Sequence, residues 1–125
     1  MKIPGYKLHR KIGKGGMATV FLATQLSFER KVALKLIADA AFDSNELAER
    51  FQREAKIVAR LSHPHIVPVY DVGRVDNIHF LAMDYLPGGD LNSFIRAGLE
   101  PKESEKILTQ LAQALHFAHS KGYIH

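Results

Sequence analysis

The chain has 125 residues and no cysteine, so it is about one small domain in which disulfides, thiolate metal sites and cysteine nucleophiles are excluded. Its 46% hydrophobic and 24% charged residues are typical of a globular protein. No apolar run approaches the roughly 18 residues that span a bilayer, and residues 1–4 do not open a signal peptide, so we expect a cytoplasmic location.

The net charge of +4 is concentrated in the first part of the sequence. Residues 1–35 contain eight Lys or Arg and one acidic residue, Glu29, whereas the rest of the chain contains more acids than bases. Such a basic field attracts nucleic acid or a polyphosphate. The basic residues are scattered over several predicted strands without interleaved aromatic residues, which favours the small anion over nucleic acid.

Residues 12–20 form a glycine-rich turn between two runs of strand-forming residues. The first run alternates in polarity with one exception at Arg10, and the glycines are expected to end it. The second run resumes at Val20. The turn holds more glycine than hairpin closure requires, at Gly13, Gly15 and Gly16. An ordinary mobile turn and a phosphate-binding loop both fit this pattern, so the neighbouring elements must decide.

The next predicted strand, residues 32–36, alternates cleanly. Val32, Leu34 and Leu36 share one face, which we predict to be core, while Ala33 and Lys35 share the other. A small side chain two residues before a lysine leaves room for a flat group beside a fixed positive charge. The alternative is a solvated lysine on an exposed face.

A helix is predicted over about residues 44–61, beginning at a capping box formed by Asp43 and Glu46. Its apolar residues recur on one stripe, at Leu47, Phe51, Val58 and Leu61. Glu54 falls in the middle of that stripe, because helical steps from Leu47 pass close to position 54.

A carboxylate on a buried stripe costs several kcal/mol, as a rough scale, unless a cation pairs with it. Lys35 is the partner that the sequence predicts for Glu54. Arg53 and Lys56 on the same helix are the alternatives, but neighbours one or two positions apart do not face each other on a helix.

Two apolar runs follow, at 66–75 and 78–85, and the pair Asp76-Asn77 between them predicts an antiparallel hairpin. Pro68 marks its strand as an edge or irregular strand. These runs bring the predicted sheet to five strands.

Residues 86–90 break the pattern and read as a linker or hinge, followed by a short helix over about 91–97. Pro101 at a first helical position and Gly122 just past the end then bracket a long helix. Its apolar face consists of Ile107, Leu108, Leu111, Ala112, Leu115 and Ala118. No following segment covers this face, so we expect the chain to self-associate through helix 101–121.

Two histidines of the long helix, His116 and His119, are three positions apart and so share a side. No carboxylate has matching spacing, so solvated or packed histidines are a better interpretation than metal ligands. The prediction is that these 125 residues hold no metal.

The ordered set of motifs resembles the N-terminal portion of a bacterial eukaryotic-like (Hanks-type) serine/threonine protein kinase domain, over all 125 residues. The motifs are the glycine turn with Val20, the strand 32–35, the helix glutamate, the segments 63–67 and 83–91, and the 15–18 variant of the turn. The resemblance implies an α+β fold: an N-lobe over residues 1–85 with a five-stranded antiparallel sheet plus one helix, a hinge at 86–90, and the first helices of an incomplete C-lobe over 91–125.

The resemblance also implies an ATP site. Lys35 would hold the α- and β-phosphates and Glu54 would orient Lys35; these two are the predicted catalytic residues. Val20 and Ala33 would enclose the adenine, and Met83 would occupy the gatekeeper position. The remaining predicted contacts are the turn residues Ile12, Gly13, Lys14, Gly15 and Gly16 over the phosphates, the backbone of Asp84 and Leu86 at the adenine edge, and Asp90 at the ribose.

Two departures from the family pattern matter. Ala18 stands where a third glycine is usual, so the turn is either stiffer there or held at negative φ. His125 matches the histidine of the catalytic His-Arg-Asp motif, so the catalytic aspartate and the Mg²⁺ ligands are expected beyond it.

The resemblance therefore implies a kinase acting on Ser or Thr of a protein substrate, of which the 125 residues alone are inactive. A membrane anchor further along the parent protein remains compatible with the sequence. The first alternative is a nucleotide-binding pseudokinase or interaction module, and the next is a basic nucleic-acid-binding domain, which we do not expect.

Overall fold

The structure is a computed structural model that describes residues 2–123. Its strands are β1 (Tyr6–Gly15), β2 (Ala18–Gln25), β3 (Arg30–Ala38), β4 (Val69–Val75) and β5 (Ile78–Asp84). Its helices are α1 (Asn45–Ala59), α2 (Leu91–Ala97) and α3 (Pro101–Ser120), with a short 3₁₀ turn at Asp39–Ala41. The predicted α+β fold with five strands is confirmed.

The chain forms two compact units. The first comprises Met1–Arg60 and Pro68–Tyr85 and contains the sheet and α1. The second comprises Leu61–Val67 and Leu86–His125 and contains α2 and α3. Residues 61–67 are predicted from the sequence to belong with the sheet, whereas in the structure they belong to the second unit. Within that unit, the ring centroids of His63 and Phe117 are 5.0 Å apart.

The sheet has the strand order β1-β2-β3-β5-β4, and all neighbouring strands are antiparallel. β4 is therefore an edge strand, as Pro68 predicted, since proline cannot donate to a ladder. The Pro68 carbonyl still accepts a hydrogen bond from the amide of Asp84 at 3.0 Å.

The core of the first unit lies on one face of this sheet. Val32 and Leu34 are fully buried and Leu36 is 6% exposed, so the predicted core face of β3 is confirmed. Burying each such side chain stabilises the fold by about 1.5–3 kcal/mol. The same cluster contains Ile3, Tyr6, Ala23, Phe80 and Ala82.

α1 differs from its prediction in its cap. Ser44 is the N-cap, and its hydroxyl accepts a hydrogen bond from the amide of Leu47 at 3.2 Å. The predicted box of Asp43 and Glu46 is thus wrong by one residue, because Ser44 has the extended backbone that aims its side chain at the first free amides. The helix also ends at Ala59, two residues earlier than predicted.

The buried side of α1 is rotated from the predicted stripe. Its buried residues are Ala48 and Ala55, whereas Leu47 is 42% exposed. Alanines let the helix backbone approach β4 more closely than leucine would, so the small residues decide which side turns inward. The longer apolar side chains had suggested a side about one position away.

In the second unit, the two predicted ends of α3 are confirmed. The helix begins at Pro101, and Gly122 follows its last turn with φ +84°. Three leucines of its predicted apolar face are exposed, namely Leu108, Leu111 and Leu115. Among residues 2–123, no helix combines the length and apolar character that crossing a membrane needs.

Candidate functional site

The strand register brings several predicted site residues to one face of the sheet. Val20 of β2 lies opposite Lys35 of β3, and Ala33 of β3 lies opposite Met83 of β5. Gly13 of β1 lies opposite Val20. Side chains directly opposite each other, or two positions apart on one strand, point to the same side of a sheet. These five residues therefore form one surface, on the side away from the Leu34 core.

The glycine turn is shorter than predicted. β1 continues to Gly15, which pairs with Ala18, so only Gly16 and Met17 make the turn. Gly16 has φ +54°, whereas Met17 has no positive φ, which is the φ pattern of a type II′ hairpin turn. The glycines thus do not end the strand, because only one of them uses the left-handed conformation.

Ala18 lies in β2 and is not among the residues with positive φ. The sequence predicted either a stiffer turn at Ala18 or a negative φ there, and the structure has the negative φ. Register shifts in β1, between Leu8 and Arg10 and between Lys11 and Gly13, also explain why Arg10 broke the alternation.

The space over the turn is open. A side-chain carbon added at Gly15 or Gly16 would meet no atom within 4 Å, and one added at Gly13 would make ordinary contact with Val20 at 3.6 Å. Gly15 has neither a positive φ nor a close neighbour that requires glycine. Ile12 is half-buried and Lys14 is exposed on β1 beside the turn.

Lys35 is half-buried, with Val20 and Leu81 as its register neighbours on either side. Within residues 2–123, Lys35 takes part in no salt bridge. The side chain therefore reaches the common face as a cation without an acidic partner in the described part of the chain.

Glu54 binds Arg50 through a 3.2 Å salt bridge one helical turn away, and its side chain is 53% exposed. The prediction that Glu54 is buried and pairs with Lys35 is wrong for this structure. Rotation of α1 takes position 54 off the buried side, and an i, i+4 cation is the nearest partner on a helix surface. The observed partner, Arg50, is neither of the two alternatives predicted on the helix, Arg53 and Lys56.

A cleft of about 400 Å³ adjoins this salt bridge. Met17 at the tip of the glycine turn lines it on one side, and Arg50, Phe51 and Glu54 of α1 line it on the other. The glycine turn and Glu54 thus border the same cleft.

Three predicted contacts follow the common face in sequence. Asp84 ends β5, and its amide is already bound by the Pro68 carbonyl. Leu86 and Asp90 belong to the second unit, and Leu86 is 56% exposed. Asp90 caps α2: its Oδ1 accepts from the Ser93 amide at 2.9 Å and from the Ser93 hydroxyl at 2.8 Å, and these bonds hold the pKa of Asp90 below its usual range.

Sequence reasoning missed a buried polar cluster on the common face. His79 of β5 is 1% exposed and contacts Gln52 of α1 and Asp39 after β3. The signal was available, because His79 lies between Ile78 and Phe80 in a strand that was predicted to be apolar. Among residues 2–123, no group of three or more His, Asp or Glu is placed to hold a metal ion.

Comparison with known proteins gives one family. The family model described as "Protein kinase domain" matches residues 6–125. The chain is 39% identical over 122 residues to the serine/threonine-protein kinase PrkC of Bacillus subtilis, covering 96% of this chain and 19% of that protein. It is 40% identical over 122 residues to PknH of Mycobacterium tuberculosis, covering 96% of this chain and 20% of that protein. The chain thus spans about a fifth of the length of these relatives.

A solved structure is similar over the whole chain. The crystal structure of the Mycobacterium tuberculosis PknI kinase domain matches with a TM-score of 0.87 and 36% sequence identity. The match covers 100% of this chain and 52% of that one. The chain therefore has the fold of part of a kinase domain.

Proposed function

Because the chain belongs to the protein kinase domain family, we propose that it is the ATP-binding part of a serine/threonine protein kinase. The complete domain transfers the γ-phosphate of ATP to Ser or Thr hydroxyls of a protein substrate. In this proposal residues 1–85 are the N-lobe, 86–90 the hinge and 91–125 the start of the C-lobe.

The observation that carries the proposal is the common face of the sheet. Val20, Ala33 and Met83 supply apolar surface there, and Lys35 supplies a half-buried positive charge beside it. Ala33 is small, so a flat ring can lie between it and Val20 while the phosphates reach Lys35. An apolar surface with a few convergent polar groups is the usual composition of a nucleotide pocket.

The glycine turn supports the phosphate end of the site. The fold itself does not require glycine at Gly15, and the space above Gly15 and Gly16 is open. Backbone amides of the turn can therefore approach a phosphate more closely than they could if a side chain stood in the way. Ile12, Gly13 and Lys14 complete this cover on the β1 side.

The proposal requires Glu54 to exchange partners. Glu54 now binds Arg50, whereas orienting Lys35 requires the carboxylate to reach the common face. Breaking the Arg50 pair itself costs little, because an exposed i, i+4 pair contributes only about 0.3–0.5 kcal/mol. The arrangement described here is then the inactive position of α1.

The groups that complete phosphoryl transfer are proposed to follow His125, which lies outside the described residues. When bound, Mg²⁺ would supply positive charge that stabilises phosphoryl transfer, and its ligands would come from residues beyond His125. Residues 1–125 then bind and orient ATP but do not transfer phosphate by themselves.

The test replaces Lys35 in the complete protein. Lys35→Met should remove a charge that acts on the phosphates, lowering phosphotransfer by ~100-fold or more while leaving the fold intact. Lys31→Met is the matched control, because Lys31 is an exposed lysine on the same strand. Turnover of the Lys35→Met protein equal to that of the control would contradict the assignment.

A further inference from the structure

The buried cluster at His79 has a fixed pattern of donors and acceptors. The Gln52 side-chain nitrogen lies 3.1 Å from the Gly73 carbonyl oxygen and 2.8 Å from Nδ1 of His79. A carbonyl oxygen only accepts, so it must be the NH₂ end of the amide that faces Gly73. The second hydrogen of that NH₂ group then points at Nδ1, which must accept it.

This pattern decides the tautomer of His79. With Nδ1 accepting, the ring proton of the neutral form is on Nε2, and Nε2 donates it to the Asp39 carboxylate. Asp39 also binds Arg74 of β4. Burial acts to raise the pKa of Asp39, but the hydrogen bonds from Arg74 and His79 outweigh it and hold the pKa below its usual range.

The cluster lies next to Lys35 on the common face. His79 pairs with Ile37, two positions beyond the pair of Lys35 with Leu81 along the same two strands, and so on the same face of the sheet. Asp39 directly follows β3, the strand that carries Lys35. Gln52 is on α1, two residues before Glu54. The cluster thus ties the helix of Glu54 to the strand of Lys35.

We propose that His79 is a positioning residue that holds α1 to the sheet through Gln52 only while its ring is neutral with the proton on Nε2, and that a second proton releases this hold. The proposal rests on the proposed function, because α1 carries the carboxylate that must reach Lys35.

A second proton has no acceptor at Nδ1. It would meet the NH₂ group of Gln52, and two donors cannot bond each other. Turning the amide over would satisfy Nδ1 but would place its oxygen against the Gly73 carbonyl. Either way, the cluster loses one of its hydrogen bonds.

The other charges around the ring do not replace that bond. The charged groups that face His79 are Asp39 from the 3₁₀ turn, Arg74 from β4, and Glu49 and Arg53 from α1, which line the adjoining cavity of about 480 Å³. β3 presents Ile37, and the nearest rings are Phe42 and Phe51. Asp39 attracts a charged ring, but from the Nε2 side, so the Gln52 bond is still lost.

The first test is the ¹⁵N spectrum of the histidine rings in the complete protein, with His79→Asn used to assign the signal. We expect the Nε2–H form while the ring is neutral, and loss of that form together with the Gln52 bond when acid adds a second proton. His9 is the control, because its Nε2 lies 2.7 Å from the Thr24 hydroxyl, which can donate or accept and so tolerates either state. An Nδ1–H form of the neutral ring, or a ring that takes up no second proton anywhere in the pH range over which the protein is folded, overturns the proposal.

The second test uses Gln52→Leu and Gln52→Glu. Gln52→Leu leaves Nδ1 without a donor and removes one hydrogen bond from the Gly73 carbonyl, so it should increase the unfolding equilibrium constant about ten-fold while the ring is neutral. Once the ring spectrum shows a second proton, the increase should be less than about two-fold. Gln52→Glu offers Nδ1 an acceptor, so it should lose stability while the ring is neutral and recover it when the ring is doubly protonated. Equal effects of each variant in the two states of the ring overturn the proposal.

Neither test depends on phosphotransfer. A protein without kinase activity that passes both tests retains the hold on α1 and contradicts only the proposed function. An active kinase that fails them contradicts only the role of His79. If Gln52→Leu does not fold, the ring spectrum of the unaltered protein still decides.

Discussion

Glu54 of α1 binds Arg50 on the same helix, and Lys35 of β3 has no acidic partner among residues 2–123. The two residues proposed to orient ATP therefore do not pair in this structure, because the rotation of α1 leaves Glu54 beside Arg50 on the helix surface. Both lie in the first compact unit, which makes the exchange of partners a property of α1 and the sheet alone.

Breaking the Arg50 salt bridge should favour the exchange. In the complete protein, Arg50→Gln is expected to leave phosphotransfer unchanged or raise it up to roughly two-fold, because an exposed pair contributes about 0.5 kcal/mol or less. Under the proposed function, Glu54→Gln removes the group that would orient Lys35 and should lower turnover at least ~10-fold. Steady-state kinetics with saturating ATP checks both, and equal losses in the two variants would contradict the separate roles.

Gly73 is predicted to be required by packing. A side-chain carbon at this position would lie 2.6 Å from the buried Phe80 ring, so Gly73→Ala should destabilise the fold by about 1–3 kcal/mol. Gly88→Ala is the control, since nothing lies within 4 Å there. Urea unfolding gives the difference, and adding Phe80→Leu to Gly73→Ala should recover part of the loss. No recovery would count against the proposed clash.

Ser44→Ala tests the observed N-cap of α1. Loss of the hydroxyl that accepts from the Leu47 amide should cost about 1 kcal/mol. Asp43→Ala, one residue earlier, should change the free energy of unfolding by less than about 0.5 kcal/mol. Thermal unfolding of the two variants decides, and the reverse order would restore the capping box predicted from the sequence.

Tyr6 makes the stability depend on alkaline pH. Burial and the hydrogen bond that its hydroxyl donates to Asp71 at 2.8 Å raise the pKa of Tyr6 from 10.0 to about 12. Between these two values the folded state binds more protons than the unfolded state, so the free energy of unfolding falls as pH rises through this window. Other groups also titrate there, so the measurement is the difference between wild type and Tyr6→Phe.

We expect that difference in the free energy of unfolding to shift in favour of Tyr6→Phe between pH 9.5 and pH 11.5. Phenylalanine keeps the ring that packs against Phe80 but has no proton to lose. A difference that stays constant over the window would show that Tyr6 does not titrate as described.

The exposed leucines of α3 are predicted to make the 125-residue chain self-associate. Leu108, Leu111 and Leu115 form an apolar surface about two helical turns long. Replacing Leu108 and Leu115 by lysine should shift sedimentation toward the monomer, whereas Leu26→Lys at an exposed site on the first unit should not. A wild-type chain that sediments as a monomer at high concentration would contradict this prediction.

Much of the fold was readable from local patterns. Alternation in β3 separated Leu34 from Lys35, and Pro68, Pro101 and Gly122 marked an edge and the two ends of α3, because these residues restrict the backbone wherever they occur. The opposite sides of β3 follow from the two-residue period of a strand, which needs no knowledge of partners.

Partners through space were not readable in this way. The rotation of α1 depends on how closely Ala48 and Ala55 approach the sheet, and a shift of about one residue moved Glu54 from a buried position to Arg50. In the sequence, His79 is a single polar residue in an apolar strand. Its partners in the structure, Asp39 and Gln52, are 40 and 27 positions away along the chain. The sequence alone determined the strand faces, the glycine turn and the lysine beside a small residue, because these depend on local backbone geometry. Only the tertiary structure decided which side chains meet, because that depends on packing between distant segments.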